Sequence, residues 1–572
     1  MTPLVLAACL ALPVAVPTLV ETYVERYFQT FPTRATEAGR HDLDTQLPDL
    51  SAARIADWLR FNRQIRASLQ ATLAGAAVAS EDRLDADVLL AQIEREIHDL
   101  DVLQRPQRDP LYWTSLVASA TVFLLVRDDV PLAPRLTAAC ARARLLPRLA
   151  AQARQALEGT PVDRIAPEPA RIAAAQARAS AVFYRDGFPT AGAGTPAPDV
   201  ATLPRDGETA AKGLDELAAF LEGLAARATG TPRLGADYAA TFRVGTGIED
   251  PVDTLLAEAE TALAAKRAEA ATYGREVWPS LLPGESPPGD ERALLLRLFE
   301  RVAADRDNSL DSYVAGWQAN VRELDAFLRA NDVVSLPDPL TLKVDRSPAF
   351  FVGQSVGGVY PAGPYSPESP TLLFLPVPPE TATPEGRGAF FRDFNRHFNR
   401  MIAPHELLPG HYLQLKYAAR HPHRLRALFP DPVYVEGWGT FCERLMLDRG
   451  WGGPLDRLAH LKKQLENVAR TIVDVRVHTR DMTRDELLRF VRDEALQDEQ
   501  FAANMWVRAI TSSPQLTTYH LGYRQVMGLY EEVRRARGPA FRLREFMDGM
   551  MTLGPVPVRH YRERMLGPVK TP

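Results

Sequence analysis

Two histidines and a glutamate lie within one seven-residue segment, residues 405–411, which has the sequence HELLPGH. Imidazole and carboxylate groups are ligands that zinc accepts, and a carboxylate beside a zinc site can act as a general base. We predict that His405 and His411 bind one Zn²⁺ ion. Glu406, which lies between them, is the predicted catalytic base.

The spacing of these histidines requires a break in the helix that carries them. Histidines four positions apart share one helical face, but His411 follows His405 by six positions. On an ideal helix it would lie about 120° around and roughly 9 Å along the axis, too far for bonds of about 2 Å to one ion. Pro409 lacks an amide hydrogen, and Gly410 tolerates unusual backbone angles. We therefore expect the helix to deform at these two residues.

A third ligand is expected from the next acid-rich helix, which begins near Val435. Glu436 lies far enough after His411 for one helix to end, a loop to turn and the next helix to return. Glu443, seven positions further on, shares the face of Glu436. It is either the ligand instead or an acceptor that orients a histidine ring. For both glutamates, the alternative is an ordinary salt bridge.

Other polar residues are candidates for contacts with the transition state or the substrate. Asp474 and His478 lie four positions apart on a predicted helix. The imidazole could donate to an oxyanion, or the two residues could form a buried structural pair. The phenol of Tyr519 is a second candidate oxyanion donor, unless it is a core residue with a satisfied hydroxyl. The predicted substrate-contacting residues are Gly357, Gly358, Tyr360, Tyr523 and Arg524.

The elements that would position these residues are predominantly helical. From Leu19 to about Ala330, apolar residues recur at three- and four-residue spacing. The composition, 46% hydrophobic and 24% charged over 572 residues, is typical of a globular protein with ample core material. We predict a mainly α-helical, two-lobed body. Its helical N-terminal lobe would span residues 19–330, and its catalytic lobe residues 331–572.

Residues 336–378 interrupt the helical pattern and predict a small β-sheet. The expected strands are 340–344, 349–352 and 371–375, which are bounded by glycine and proline. The glycines of residues 353–370 would let the backbone approach a ligand closely, or this segment is a plain surface hairpin.

Charge and cysteine content limit the partners. The net charge of −5, without a basic stripe, argues against a nucleic-acid partner. The expected partner is a peptide or a small amide substrate, and the oligomeric state is left open. Cys9, Cys140 and Cys442 have no metal-type spacing and support no disulfide framework.

Residues 1–18 are apolar but too short and too rich in proline to span a bilayer. They predict an export signal, and the residues before Cys9 resemble a lipoprotein cleavage box. We therefore favour an exported protein, which is periplasmic, secreted or lipid-anchored, with no integral membrane span. The alternative is a cytoplasmic protein whose apolar first segment packs on the domain.

Several motifs, in their order along nearly the whole chain, resemble the bacterial family catalogued as domain of unknown function 885. They are HELLPGHYLQ at 405–414, EGW at 436–438 followed by Glu443, Asp474 with His478, residues 514–522 around Tyr519, and residues 31–39 and 47–51. The resemblance implies a mostly helical zinc metallopeptidase, often exported, whose substrates are generally not established. In one place the chain departs from the family, because Met547 stands where a histidine is usual, which puts specificity and activity in question.

A looser similarity extends to helical zinc carboxypeptidases and oligopeptidases with a deep cleft. In those proteins a histidine pair is followed by a glutamate ligand on the next helix. This similarity favours Glu436 over Glu443 as the third ligand.

The leading functional hypothesis is a zinc-dependent metallopeptidase that cleaves short peptides. His405, His411 and Glu436 would hold the ion, Glu406 would act as base, and Tyr519 or His478 would stabilise the oxyanion. The alternatives are a metal-dependent hydrolase of non-peptide amides or esters, and a catalytically silent, metal-stabilised peptide-binding protein. In a purely structural helical protein, the two histidines would point apart.

Overall fold

The computed structural model describes residues 14–75, 78–196, 198–351, 357–378 and 382–567. It confirms the predicted fold class, because the described chain is mainly α-helical and contains one small three-stranded sheet. The lipoprotein-like residues around Cys9 and the beginning of the predicted glycine-rich loop, at Gly353, lie outside the described residues.

Fourteen α-helices precede the sheet in the described chain. They are α1 (Val16–Thr30), α2 (Pro32–Glu37), α3 (Ala52–Gly75), α4 (Ser80–Ile97), α5 (Arg105–Arg108), α6 (Pro110–Ser119), α7 (Val122–Val126), α8 (Leu132–Glu158), α9 (Pro167–Val182), α10 (Leu203–Arg227), α11 (Tyr238–Thr246), α12 (Val252–Leu281), α13 (Glu291–Ala304) and α14 (Leu310–Ala330). α1 begins at Val16, inside the expected export segment of residues 1–18. Val16 lies in the first turn of α1 and is buried in the core.

Eleven α-helices follow the sheet in the described chain. They are α15 (Pro384–Asp393), α16 (Arg396–Glu406), α17 (His411–Ala419), α18 (Arg424–Leu428), α19 (Pro432–Asp448), α20 (Pro454–Thr479), α21 (Arg484–Asp493), α22 (Glu499–Ser512), α23 (Thr518–Arg537), α24 (Leu543–Gly549) and α25 (Val558–Leu566). α20 is buried along nearly its whole length, because α12, α13, α16 and α23 all pack against it. No helix in the described ranges is long and apolar enough to cross a membrane.

Two large apolar cores organise these helices. One core lies among α6, α8, α9 and α10, where many alanines allow close helix packing. The larger core joins α1, α3 and α4 to α11–α14 and to the C-terminal helices. α12–α14, which precede the predicted lobe boundary at residue 330, thus pack in the same core as the part of the chain that carries the HELLPGH segment.

The sheet contains β1 (Leu342–Arg346), β2 (Gly358–Tyr360) and β3 (Thr371–Leu375) in the order β1-β3-β2. β1 is parallel to β3, with Val344 opposite Leu373, and β2 is antiparallel to β3, with Val359 opposite Leu373. β3 is buried at every position and forms the centre. β2 therefore lies at an edge of the sheet.

The structure corrects the strand expected at residues 349–352. Ala349 and Phe350 lie in a turn, and Val352 is outside the described residues. Phe351 is buried in the alanine-rich core, where its ring stacks on Phe183 with centroids 5.4 Å apart. The apolar run thus serves as a tertiary anchor, and tertiary packing overrides its local strand preference.

Candidate metal centre

The HELLPGH segment spans the junction of two helices. α16 ends at Glu406 and α17 begins at His411, so the chain breaks the helix completely at the position where we expected a local deformation. Pro409, in the break, has no amide hydrogen to continue the hydrogen-bond ladder of α16. The break removes the unfavourable spacing, because His405 and His411 belong to different helices.

Two contacts fix the shape of this junction. A Cβ atom on Gly410 would lie 2.0 Å from the carbonyl oxygen of His405, so only glycine fits against the last turn of α16. The indole Nε1 of Trp438, on α19, donates a hydrogen bond of 2.9 Å to the carbonyl oxygen of Pro409. The junction is therefore held against the helix that carries the predicted third ligand.

The structure brings His405, His411 and Glu436 together. One ligand atom from each residue lies within 4.8 Å of the others. Oε2 of Glu436 is 3.5 Å from Nε2 of His405 and 3.8 Å from Nε2 of His411. Two atoms bonded to one zinc ion at about 2.0–2.2 Å can be at most about 4.4 Å apart. The distances to Glu436 therefore fit a shared ion.

The two imidazole rings approach this point from different directions. Their centroids are 4.6 Å apart and their planes differ by 82°. Both rings are buried, and Nδ1 of His411 has no hydrogen-bond partner among the described residues. This arrangement lets both Nε2 atoms face the carboxylate of Glu436 without the rings colliding.

Glu443 lies on the opposite side of the His405 ring. Its Oε1 accepts a hydrogen bond of 2.7 Å from Nδ1 of His405, and its Oε2 is 3.2 Å from Nδ1 of His460. Glu443 is fully buried. It therefore orients the imidazole so that Nε2 faces Glu436, which is the second of the two roles predicted for this residue.

The electrostatics of the site favour a positive charge among the three residues. Burial opposes protonation of His405, but its bonds with Glu436 and Glu443 outweigh burial and raise its pKa to about 10. Burial raises the pKa of Glu436, yet the hydrogen bonds and charges of His405 and His411 hold it well below its usual value. Because the carboxylates stabilise a proton here, they would also stabilise a divalent cation.

Glu406 is the last residue of α16 and is partly exposed. Its charge acts on the neighbouring His405. Within the described ranges, its carboxylate makes no hydrogen bond or ion pair with another residue. The predicted base is therefore an uncommitted carboxylate beside the candidate ligands.

Tyr519 lies in the first turn of α23, close enough for the charge of Glu436 to act on its phenol. The phenol oxygen accepts hydrogen bonds from Nη2 of Arg508 at 3.2 Å and from Nε2 of Gln515 at 3.0 Å. The guanidinium of Arg470 lies over the ring, 4.4 Å from its centroid. Because both bonds are accepted, the hydroxyl hydrogen of Tyr519 is left to donate elsewhere.

Glycines on α19 and α23 bring these groups close together. A Cβ atom on Gly437 would lie 2.3 Å from the backbone of Gly522, so the two helices touch through their backbones. A Cβ atom on Gly439 would lie 2.8 Å from three atoms of the His405 ring. Gly437 and Gly439, on either side of Trp438, thus permit the α19–α23 contact and the close packing of the His405 ring against α19.

The structure corrects the expected pairing of Asp474 with His478. Oδ2 of Asp474 accepts hydrogen bonds from the hydroxyls of Tyr238, at 2.7 Å, and Ser513, at 3.0 Å. The His478 ring accepts from the amide of Leu234 through Nδ1 and donates to a carbonyl oxygen through Nε2. Since both ring nitrogens are engaged, His478 cannot donate to an oxyanion as we expected. Its role is structural.

The predicted substrate-contacting residues are distributed over several surfaces. Gly357 precedes β2, and the ring of Tyr360 packs between Phe123 and Phe374 as part of the apolar interior. Gly358 has a φ of +125°, which explains the glycine there.

Tyr523 and Arg524, one turn after Tyr519 on α23, make other contacts. Tyr523 lines a surface pocket with Arg444. Arg524 pairs with Glu258 on α12 at 2.7 Å. The structure therefore commits the guanidinium of Arg524 to a partner within the protein.

Five further residues contribute to the site and were not predicted from the sequence. They contact His405, Glu443 or Tyr519, and they are Gly439, His460, Arg470, Arg508 and Gln515. The only sequence signal for any of these residues is the pair of glycines that flank Trp438 in a predicted helix, which indicates close packing at that point. Met547, at the position where a histidine was expected, is fully buried in the large apolar core.

The chain matches known proteins over most of its length. A family described as "Bacterial protein of unknown function (DUF885)" matches residues 32–565. A solved structure described as "a putative lipoprotein of unknown function from Shewanella oneidensis" has a TM-score of 0.79 and 24% identity, over 97% of this chain and 100% of that chain. Another, "the putative lipoprotein from Colwellia psychrerythraea", has a TM-score of 0.77 and 14% identity, over 97% and 99%. No curated protein matches the chain. These similarities show the fold.

Proposed function

The chain belongs to the bacterial DUF885 family of unknown function, and from its candidate metal centre we propose that it is a zinc-dependent hydrolase that cleaves short peptides. The observation that supports this proposal is the grouping of His405, His411 and Glu436 beside the uncommitted carboxylate of Glu406. Three protein ligands of these types are typical of catalytic zinc sites, which keep one position open.

Different residues of the site would hold the ion and orient its ligands. When bound, a zinc ion supplies Lewis acidity to a water molecule and to a substrate carbonyl. His405 and His411 would hold the ion through ring nitrogens and Glu436 through its carboxylate. Glu443 accepts a hydrogen bond from Nδ1 of His405, which would leave the Nε2 lone pair available to hold the ion.

Glu406 is the proposed base because its carboxylate is free and adjacent to a ligand. It would accept a proton from the attacking water and pass it to the leaving amine. General base and acid catalysis of this kind contributes about 10²–10⁴-fold to the rate.

Tyr519 is the proposed oxyanion donor. Its oxygen already accepts hydrogen bonds from Arg508 and Gln515, which orient the hydroxyl and leave its hydrogen available. The positive charge of Arg508 also makes this hydrogen a better donor.

A peptide substrate is supported by the small sheet. β2 is an edge strand, and an extended peptide can pair with such an edge through its backbone. The hydroxyl of Tyr412, next to His411 in α17, accepts a hydrogen bond of 3.0 Å from the amide of Thr341, one residue before β1. The sheet is thus tied to the helix that carries a candidate ligand.

The test is Glu406→Gln, which keeps the shape of the side chain and removes its charge. We expect the variant to bind one zinc ion per chain, measured by elemental analysis, and to lose hydrolysis of a peptide library by about 10²–10⁴-fold. Glu323→Gln is the matched control, because Glu323 forms a surface ion pair with Arg400. Full activity in Glu406→Gln would contradict the assignment of the base.

Two other results would favour the remaining alternatives. If the wild-type protein holds zinc but releases no new amino termini from peptides, it is a metal-stabilised binding protein or acts on other amides and esters. If it takes up no zinc after supplementation, the proposed site is wrong.

We also propose that the protein is exported. The apolar first segment and the lipoprotein-like residues before Cys9 agree with the descriptions of the two similar structures. Cys9→Ala should move a lipid-anchored protein from the membrane fraction to the soluble fraction, and an unchanged distribution would contradict anchoring through Cys9.

A further inference from the structure

A cavity of about 520 Å³ lies between helices from the first half of the chain and the segment that precedes Tyr519. Its walls include residues of α4, α5, residues 231–245, and residues 509–515 at the end of α22. None of His405, His411 and Glu436 lines it. The volume is within the range of about 300–1,000 Å³ that is typical of small-molecule sites.

The lining of this cavity is unusually rich in arginine. Arg95, Arg105, Arg108, Arg164 and Arg233 all contribute to it. Guanidinium groups gathered around one cavity make its electrostatic potential positive unless carboxylates or bound anions compensate them. The partners of each arginine therefore decide how much charge remains for a ligand.

Only one of these arginines is closely paired with carboxylates. Arg105 lies 2.9 Å from Asp109 and 3.6 Å from Asp99. Arg233 is 3.8 Å from Asp481 and donates mainly to the carbonyl oxygen of Met482, at 3.0 Å.

The other three arginines have no carboxylate partner in the part of the chain that the structure describes. Arg108 donates to the backbone carbonyl of Arg164 at 3.4 Å, and the Arg164 guanidinium donates to the amide oxygen of Gln104 at 2.7 Å. The Arg95 guanidinium makes no hydrogen bond or ion pair with a described residue, although its charge acts on the carboxyls of Glu96 and Asp431. These guanidinium groups thus retain donors for a ligand.

The remaining titratable residues of the lining do not cancel this charge. The lining contains three aspartates, Asp99, Asp109 and Asp237, against five arginines, which leaves two positive charges. Burial lowers the pKa of His98, and it lowers that of His478 to about 4, so both rings are neutral near pH 7. The cavity therefore favours a ligand with about two negative charges.

The cavity also touches the candidate metal centre through one residue. Gln515 lines the cavity and donates a hydrogen bond of 3.0 Å to the hydroxyl of Tyr519. Pro432, also in the lining, begins α19, and Glu436 follows one helical turn later, about 6 Å along the axis. A ligand in the cavity would thus lie beside the hydrogen-bond network of the predicted oxyanion donor.

We propose that this cavity binds a small organic anion with two negative charges, held by the unpaired guanidinium groups of Arg95, Arg108 and Arg164. Guanidinium groups bind carboxylate and phosphate through paired hydrogen bonds, so either group satisfies the chemistry of the site. This binding does not depend on whether the protein hydrolyses peptides, because it uses none of the candidate metal ligands.

The test is calorimetric titration of the full-length protein with glutarate, with inorganic phosphate and with neutral glutaramide. We expect saturable binding of at least one anion, weaker binding at higher salt, and no binding of glutaramide. Which anion binds more tightly identifies the carboxylate or the phosphate as the natural group. The double variant Arg95→Gln, Arg108→Gln should weaken anion binding tenfold or more, because it removes charge-assisted hydrogen bonds, which are stronger than neutral ones.

Arg329→Gln is the matched control, since Arg329 forms an i,i+4 pair with Asp325 on α14 and does not line the cavity. Circular dichroism verifies that each variant is folded. The single variant Arg95→Gln is a second test, because the Arg95 side chain makes no hydrogen bond in the described part of the chain whose loss would disturb the fold. Equal binding of glutaramide, unchanged anion binding in the folded double variant, or no saturable binding of either anion at millimolar concentration would overturn the proposal. Glu406→Gln should bind the anion as the wild type does, which separates this test from that of hydrolysis.

Discussion

One added methyl group at Gly439 should weaken zinc binding without changing any candidate ligand. Gly439 lies on α19 beneath the ring of His405, and a Cβ atom there would lie 2.8 Å from its Cε1, Nδ1 and Nε2 atoms. Ordinary van der Waals contact begins near 3.4 Å, so Gly439→Ala requires a movement of about 0.6 Å. The ring is buried and its Nδ1 is hydrogen-bonded to Glu443, four residues further along α19, so the movement must displace the ring or bend α19.

The expected loss follows from the precision that zinc sites require. Ligand distances vary by only about 0.2 Å, and a displacement of about 0.6 Å is roughly three times that tolerance. Removing a group that orients a metal-bound histidine lowers affinity by about 10–100-fold. Because the overlap acts on the ligand itself, we expect a loss of at least that size, about 1.4–2.7 kcal/mol in binding free energy.

The assay is a competition titration of zinc between the protein and a chelator, together with thermal unfolding of the metal-free protein. Gly316→Ala is the control, because Gly316 is a helical glycine on α14 where an added Cβ atom would meet no other atom within 4 Å. It should leave zinc affinity unchanged and stabilise the fold by about 0.5–1 kcal/mol. A Gly439→Ala protein that is folded and binds zinc within twofold of the wild type would refute the reasoning.

Three further predictions concern neighbouring groups. Tyr519→Phe should lower kcat by about 10²–10³-fold, measured by peptide hydrolysis, with zinc content unchanged, because it removes one oxyanion donor; equal kcat would exclude this role. Glu443→Gln should weaken zinc binding by about 10–100-fold in the same chelator competition, whereas the surface change Glu323→Gln should have no effect. Burial raises the pKa of Asp474 to about 7. Between about pH 4 and pH 7 this carboxyl therefore binds more protons in the folded protein than in the unfolded chain. The stability that it contributes is lost as the pH rises through this range. In urea unfolding, Asp474→Asn should therefore become more stable relative to wild type from pH 4 to pH 7, and a constant difference would contradict the assigned pKa.

The candidate ligands could be predicted because their chemistry is encoded locally. The break between His405 and His411 follows from the absent amide hydrogen of Pro409 and the lack of a side chain at Gly410. The choice between Glu436 and Glu443 could not be made from their spacing, since residues seven positions apart share one helical face. It depends on where α16 crosses α19, which puts Glu443 against Nδ1 of His405 and leaves Nε2 to Glu436.

Other features depended on partners that are distant in the sequence. Asp474 and His478 have the spacing of a helical pair, but each bonds to a residue far away in the sequence. Asp474 accepts from Tyr238, in the first turn of α11, and His478 accepts from the amide of Leu234, just before α11. The apolar residues around Phe351 have strand-like composition, yet stacking on Phe183 determines their conformation. Local patterns contain no information about such contacts, because packing free energy exceeds the small differences in propensity.

The backbone contact between Gly437 and Gly522 brings Tyr519, which is distant in the sequence, to the helix that carries Glu436. All three candidate ligands lie within residues 405–436, whereas Tyr519 lies on α23. Tyr519 reaches them because α23 packs on α19 through the two glycines. A chain that is truncated or unfolded after α20 would therefore retain the candidate zinc ligands while lacking the proposed oxyanion donor. The zinc content of such a chain would then measure whether the candidate ligands have assembled, and the turnover rate would measure whether α23 is also in place.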